Sequence, residues 1–201
     1  MKRMLGFLCA VLLLCGAFVI LPVHGEDEIY DSVIRLHVLA NSDSDEDQRL
    51  KLLVRDEVLA VTSELLQGVQ TRDEAAAVLR QNLGKIRCVA ENALQKQGCT
   101  STVAVSLGQE EYPTREYEQL AFPAGEYLSL RVMIGEAEGQ NWWCVLFPPL
   151  CLSAATTKAE AEEAFLAAGL TEEQYRIITD SDGSKYRLRF KILEVAGKLF
   201  D

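Results

Sequence analysis

A chain of 201 residues with 20 Lys and Arg against 30 Asp and Glu carries a formal charge of −10, and nowhere does it cluster basic residues with interleaved aromatics. That balance excludes a binder of phosphate backbones and disfavours docking of the bulk of the chain on anionic lipid. With two histidines and neither a Gly-x-Ser-x-Gly elbow nor a Walker-type glycine loop, most zinc, triad and nucleotide chemistries fall away too.

Lys2 and Arg3 precede a run without Asp, Glu, Lys or Arg from residue 4 to residue 25, the pattern of an export signal. Its apolar core is slightly long for a signal peptide and slightly short for a comfortable membrane span. Residues 1–25 are therefore expected to be a signal peptide or an N-terminal anchor. Val23 and Gly25 are small enough for the −3 and −1 positions of a cleavage site. A lipoprotein site at Leu12-Leu13-Leu14-Cys15 fits poorly, because a bulky residue precedes the cysteine. Cleavage would take Lys2 and Arg3 and no acid, moving the formal charge from −10 to −12. It would leave residues 26–201 as a single exported α+β domain, long enough for a substantial core.

Residues 33–40 alternate branched apolar residues as a strand does, with Arg35 and His37 on one face. Asn41-Ser42-Asp43-Ser44 supplies turn and cap chemistry. Leu50, Leu53, Val54, Val58, Val61 and Leu65 then fall at helical spacing, predicting a helix that ends near Gly68. Thr71 and Glu74 form a capping box for a second helix with the stripe Leu79, Leu83, Ile86, Ala90 and Leu94, closed by Gly98.

From residue 102 the period becomes two. Strands are expected through Val103, Val105 and Leu107, then over 112–118, 126–134 and 142–147, forming a mostly antiparallel sheet. Gly108, Pro123-Ala124-Gly125 and residues 135–139 mark its turns. Residues 153–182 read as a variable helical connection, with Thr157 and Glu160, then Thr171 and Gln174, as capping pairs. Tyr186, Leu188, Phe190 and Ile192 alternate with Arg187, Arg189 and Lys191 in a further strand, and a short helix ends the chain. The fold class is α+β, an N-terminal strand and two helices packed on the sheet.

Asn141-Trp142-Trp143-Cys144-Val145-Leu146-Phe147-Pro148-Pro149-Leu150-Cys151 holds both tryptophans of the chain. The two prolines must end the strand, and the turn they make could bring Cys144 and Cys151 to the roughly 4.4–6.8 Å Cα separation of a disulfide. Cys88 should face away from the apolar stripe of its helix, and its pairing with Cys99 is disfavoured by the rise of the helix between them. Asp43, Asp45 and Asp47 have the spacing that opens a calcium loop. Gln48 and Val54 occupy the positions where glycine and a bidentate glutamate should stand, so the acids read as helix-capping groups and no metal is expected. His37 with Cys144 or Cys151 is the dyad a thiol hydrolase would use, since nucleophile and base need to be adjacent in space and not in sequence.

Two long stretches, Ile34-Arg35-Leu36-His37-Val38-Leu39-Ala40-Asn41-Ser42-Asp43-Ser44-Asp45-Glu46-Asp47-Gln48 through Val54-Arg55-Asp56, and residues 141–151, resemble the stage II sporulation protein R family. Tyr112-Pro113-Thr114-Arg115 and Phe122-Pro123-Ala124-Gly125-Glu126-Tyr127 fit segments of the same family between them. His37 stands where arginine is common, and Phe122 replaces a tyrosine. The resemblance implies an exported intercellular signalling protein of endospore formation, acting between forespore and mother cell without catalysis or cofactor. Its implied partner is a membrane-embedded aspartic protease that cleaves pro-sigma-E, with neither nucleic acid nor a small-molecule substrate. Arg35, Asn41, Ser42, Asp43, Trp142 and Trp143 are the candidate partner-binding residues, since tryptophan and arginine are the types enriched at interface hot spots. The alternatives are an exported thiol-dependent envelope hydrolase and a structural envelope module.

Overall fold

The computed structural model describes residues 29–117, 120–149, 158–167 and 171–179. The first strand, β1 (Ile34–Leu39), ends at the Asn41-Ser42-Asp43-Ser44 turn. Ser44 caps the following helix, α1 (Asp45–Leu65): its backbone is extended and its hydroxyl accepts from Asp47 N, with Asp45, Glu46 and Asp47 in the first turn. That places carboxylates where the helix dipole favours them. Thr71 caps α2 (Arg72–Lys96) by accepting from Glu74 N, and Gly98 ends it at a φ of +75°, a conformation that favours glycine.

The chain then lays down β2 (Val103–Tyr112), β3 (Arg115–Tyr117), β4 (Leu120–Phe122), β5 (Gly125–Ile134) and β6 (Asn141–Phe147). Two short helices follow, α3 (Lys158–Ala167) and α4 (Glu172–Thr179). β2, β5, β1 and β6 form one sheet in that order, while β3 and β4 pair as a separate hairpin. β1 runs antiparallel to β6 and parallel to β5, and β2 is antiparallel to β5. The architecture is α+β, with a mixed, mostly antiparallel sheet.

Two details depart from the sequence pattern. Gly108 ends no strand, for β2 runs through it and Gly108 pairs with Ser129; an unbroken ladder on β5 outweighs the glycine's weak strand propensity. The stretch expected as one strand from residue 112 is broken at Pro113, and β3 begins at Arg115, because proline cannot donate to a ladder. The strand expected over 185–192, the terminal helix and Cys151 lie outside the described residues.

Period-two alternation divides the sheet's side chains between two layers. Ile34, Leu36, Val38, Leu128, Leu130, Val132, Cys144 and Leu146 face α1 and α2, where Val54, Val58, Leu79, Ile86 and Ala90 close an aliphatic core. The opposite face carries a second cluster of Ile29, Val33, Tyr112, Phe122, Tyr127, Val145, Phe165, Tyr175 and Ile178. Gly125 permits this packing: a Cβ there would overlap the Tyr30 ring at 2.6 Å.

Candidate functional site

β1 supplies the centre of the second layer. Arg35 is fully buried, with its guanidinium carbon 4.1 Å from the Tyr112 ring centroid, 5.0 Å from that of Tyr127 and 5.5 Å from that of Phe122. A cation surrounded by aromatic faces exchanges part of its lost hydration for the negative potential of the rings. Tyr112 and Tyr127 meet edge to face at 5.7 Å, and Tyr30 meets Tyr127 likewise at 4.9 Å. Their hydroxyls are tied down, Tyr127 donating to Pro123 O at 2.7 Å and Tyr30 to Ala124 O at 3.0 Å. Tyr112 shares a 2.6 Å hydrogen bond with Ser129. Burial pushes the Tyr112 phenol far above its ordinary range, despite that bond, so it stays neutral.

Two residues along β1, His37 occupies the same face. Its Nδ1 lies 2.8 Å from Glu110 Oε1 and its Nε2 lies 3.0 Å from Asn141 Oδ1. Arg131 Nε reaches the same Glu110 oxygen at 3.4 Å. Burial raises the affinity of Glu110 for a proton, but the His37 hydrogen bond and charge, then Ser129 and Arg131, outweigh it and hold the carboxyl below its ordinary range. Trp143 packs against His37 at 5.3 Å. Arg115 lies over the other tryptophan contact surface, 3.8 Å from the Trp143 centroid.

Asn41 and Asp43 fasten the β1–α1 turn to the β5–β6 loop, while Ser42 braces the turn against Asp47. Asn41 accepts from Glu136 N at 3.1 Å and donates to Asp47 at 2.9 Å. Ser42 donates to the same Asp47 oxygen at 2.5 Å. Asp43 accepts from Gln140 N at 2.7 Å, and Ala40 O accepts from Gly139 N at 3.0 Å. Gly139 lies so close to the Ser42 carbonyl that a Cβ would collide with it. The hydrogen bonds from Ser42 and Asn41 hold the Asp47 carboxyl below its ordinary range. One carboxylate oxygen each of Asp43 and Asp47 is thus engaged in bracing this turn.

Of the sequence-selected residues, Arg35 and Trp143 therefore belong to one aromatic layer. Trp142 projects to the other face, half-buried, with Arg55 of α1 4.9 Å from its ring centroid. Cys144 faces the aliphatic core, paired opposite Leu36, whereas His37 is paired opposite Trp143 on the other face. The sheet separates His37 from Cys144, so they form no catalytic dyad. Cys88 is exposed and Cys99 half-buried, both free thiols. Single-residue chemistry had not singled out Glu110, Tyr112, Arg115, Tyr127, Ser129 or Arg131. Period-two alternation carried a signal for them, since it places Tyr127, Ser129 and Arg131 on one face of β5.

A mixed sheet packed on both faces, with a buried arginine among aromatic rings, defines an α+β protein whose second layer is built from aromatic and charged side chains. Residues 30–157 match the family described as stage II sporulation protein R (spore_II_R). The chain belongs to the stage II sporulation protein R family. It is 41% identical over 123 residues to the stage II sporulation protein R of Bacillus subtilis (strain 168), a stretch that covers 61% of this chain. The chain spans 55% of the length of that relative. No solved structure matches it.

Proposed function

We propose that this protein is an exported signal of endospore formation that activates a membrane-embedded aspartic protease and thereby triggers cleavage of pro-sigma-E. The observation that carries the reading is the family match over residues 30–157, which takes in β1, both long helices and every strand of the sheet. In this reading the chain acts by stabilising the cleavage-competent state of the protease, since equal binding to two states would shift neither. Trp143 and Arg115, both half-buried, supply the contact types enriched at hot spots. Trp142 and Arg55 offer a second such pair on the other face. Arg35 acts from beneath, holding the rings in place, and Asn41, Ser42 and Asp43 shape the loop beside them.

Residues 1–25 serve as signal peptide or anchor, delivering the domain to the space between forespore and mother cell. In this reading the disulfide of Cys144 is the one with Cys151 that the sequence suggests, a bond suited to that oxidising side of a membrane. Support comes from Cys144 being disulfide-bonded while Cys88 and Cys99 are free.

The test is co-expression of the full chain with the protease and pro-sigma-E in a non-sporulating host, with sigma cleavage read on a blot. Cleavage that requires the chain, survives His37→Ala and fails with a Trp143→Ala, Arg115→Ala variant that is still folded is the expected result. Cleavage that proceeds equally without the chain would overturn the reading.

A further inference from the structure

Among the described residues β2 is an edge strand of ten residues, joined to β5 on one side. Its ladder runs without a bulge, and it contains no proline or lysine. Natural proteins commonly use those devices to blunt an edge. Gly135 N donates to Thr102 O at 2.9 Å, which identifies Thr102 and Gly135 as a hydrogen-bonded pair. Alternation along an antiparallel ladder then turns the N–H and C=O groups of Val103, Val105, Leu107, Gln109 and Glu111 away from β5. That outward set is symmetric about Leu107.

We propose that a second copy of this chain docks on β2, the two strands pairing antiparallel about a two-fold axis at Leu107 to make one continuous sheet. In that register Val103 faces Glu111 of the other copy and Val105 faces its Gln109. Their side chains share the helix-facing side of the sheet. There Leu83, Gly84 and Arg87 of α2 line a shallow groove of about 330 Å³ with Val103 and Val105. Arg87 and Glu111 are exposed and make no ion pair among the described residues. The two-fold brings each Glu111 to the Val103 end of the other strand, beside its Arg87, forming two complementary pairs at once. Isologous interfaces have this self-complementarity.

Two glycines support the same surface. Gly84 lies within α2 and Gly108 within β2, positions where glycine weakens an element. Nothing among the described residues lies within 4 Å of a Cβ built on either, so the packing of those residues gives no reason for the glycines. Both leave room along the edge for another backbone. The dimer stands independently of the signalling proposal.

Sedimentation velocity over a concentration series tests it, using the full chain in mild detergent so that residues 1–25 cannot drive association. A strand-edge interface of this size is at the small end of specific contacts, so a monomer–dimer equilibrium in about the micromolar range is expected. Arg87→Glu and Glu111→Arg alone should each weaken the dimer about tenfold or more, and the double variant should restore it. Hydrogen exchange should show the amides of Val103, Val105, Leu107, Gln109 and Glu111 protected at high concentration and exposed at low. A monomer at every concentration would overturn the proposal. So would a dimer indifferent to both charge reversals while these amides exchange freely.

Discussion

The two layers that cover the sheet are built from opposite chemistries, although alternate residues of the same strand enter both. Leu36 and Val38 of β1 disappear among leucine, valine and alanine side chains from α1 and α2. Arg35 and His37, their immediate neighbours, meet tyrosines, a tryptophan and a carboxylate. The aliphatic layer is held by filled volume, which is indifferent to direction. The aromatic layer depends on direction, because ring faces, hydroxyls and the Glu110 carboxylate satisfy their partners only in particular geometries.

Truncation should show the contrast most strongly on the aliphatic side. Leu130 is fully buried at the centre of the sheet, and Leu130→Ala should cost about 3–4 kcal/mol of stability in chemical denaturation. A value near 1 kcal/mol would mean that the helices settle into the gap, about as a loosely packed layer would.

A change that preserves volume sharpens the comparison from the other side. Leu36→Met should cost less than about 1.5 kcal/mol. Arg35→Met, similar in reach but without charge or planarity, should cost about 2 kcal/mol through loss of its ring contacts. Equal costs for the two would show that the aromatic layer, too, is held by volume alone.

The smallest effect is a dependence on acidity confined to one layer. The Glu110 carboxyl titrates below its usual 4.5 in the fold, so the unfolded chain takes up the proton first as pH falls. Its contribution, about 1 kcal/mol, is therefore complete above that value and drains away below it. The stability difference between the natural chain and Glu110→Gln should shrink between pH 6 and pH 3, measured by thermal melts. A difference that stays flat across that range would remove His37 and Arg131 as partners of the carboxylate.

The same contrast explains what was legible from the chain alone. The stripe Leu79, Leu83, Ile86, Ala90 and Leu94 announces α2 because burial against one neighbour imposes a helical period, and Ser44 and Thr71 announce the helix starts because their caps are local. Arg35, a candidate contact residue by its type, is fully buried in the fold. Its burial depends on Tyr112, Phe122 and Tyr127 from strands far along the chain, which no local period records. Trp142 and Trp143 were chosen together, yet alternation sends them to opposite faces. Asn41, Ser42 and Asp43 were legible as turn residues, but the bonds of Asn41 and Asp43 to the β5–β6 loop depend on β1 lying beside β5. Gly108 misled because its strand is maintained by a partner ladder and not by its own preference.

The parallel seam at the middle of the sheet also orders events in time. β1 leaves the ribosome first, yet its two neighbours are β5 and β6, with both long helices and β2 to be made before either. α1 follows at once and can cover the apolar face of β1, but the ladder partners of β1 come much later, and contacts between such distant segments form slowly. The sheet thus stays incomplete until nearly all of its strands have been synthesised.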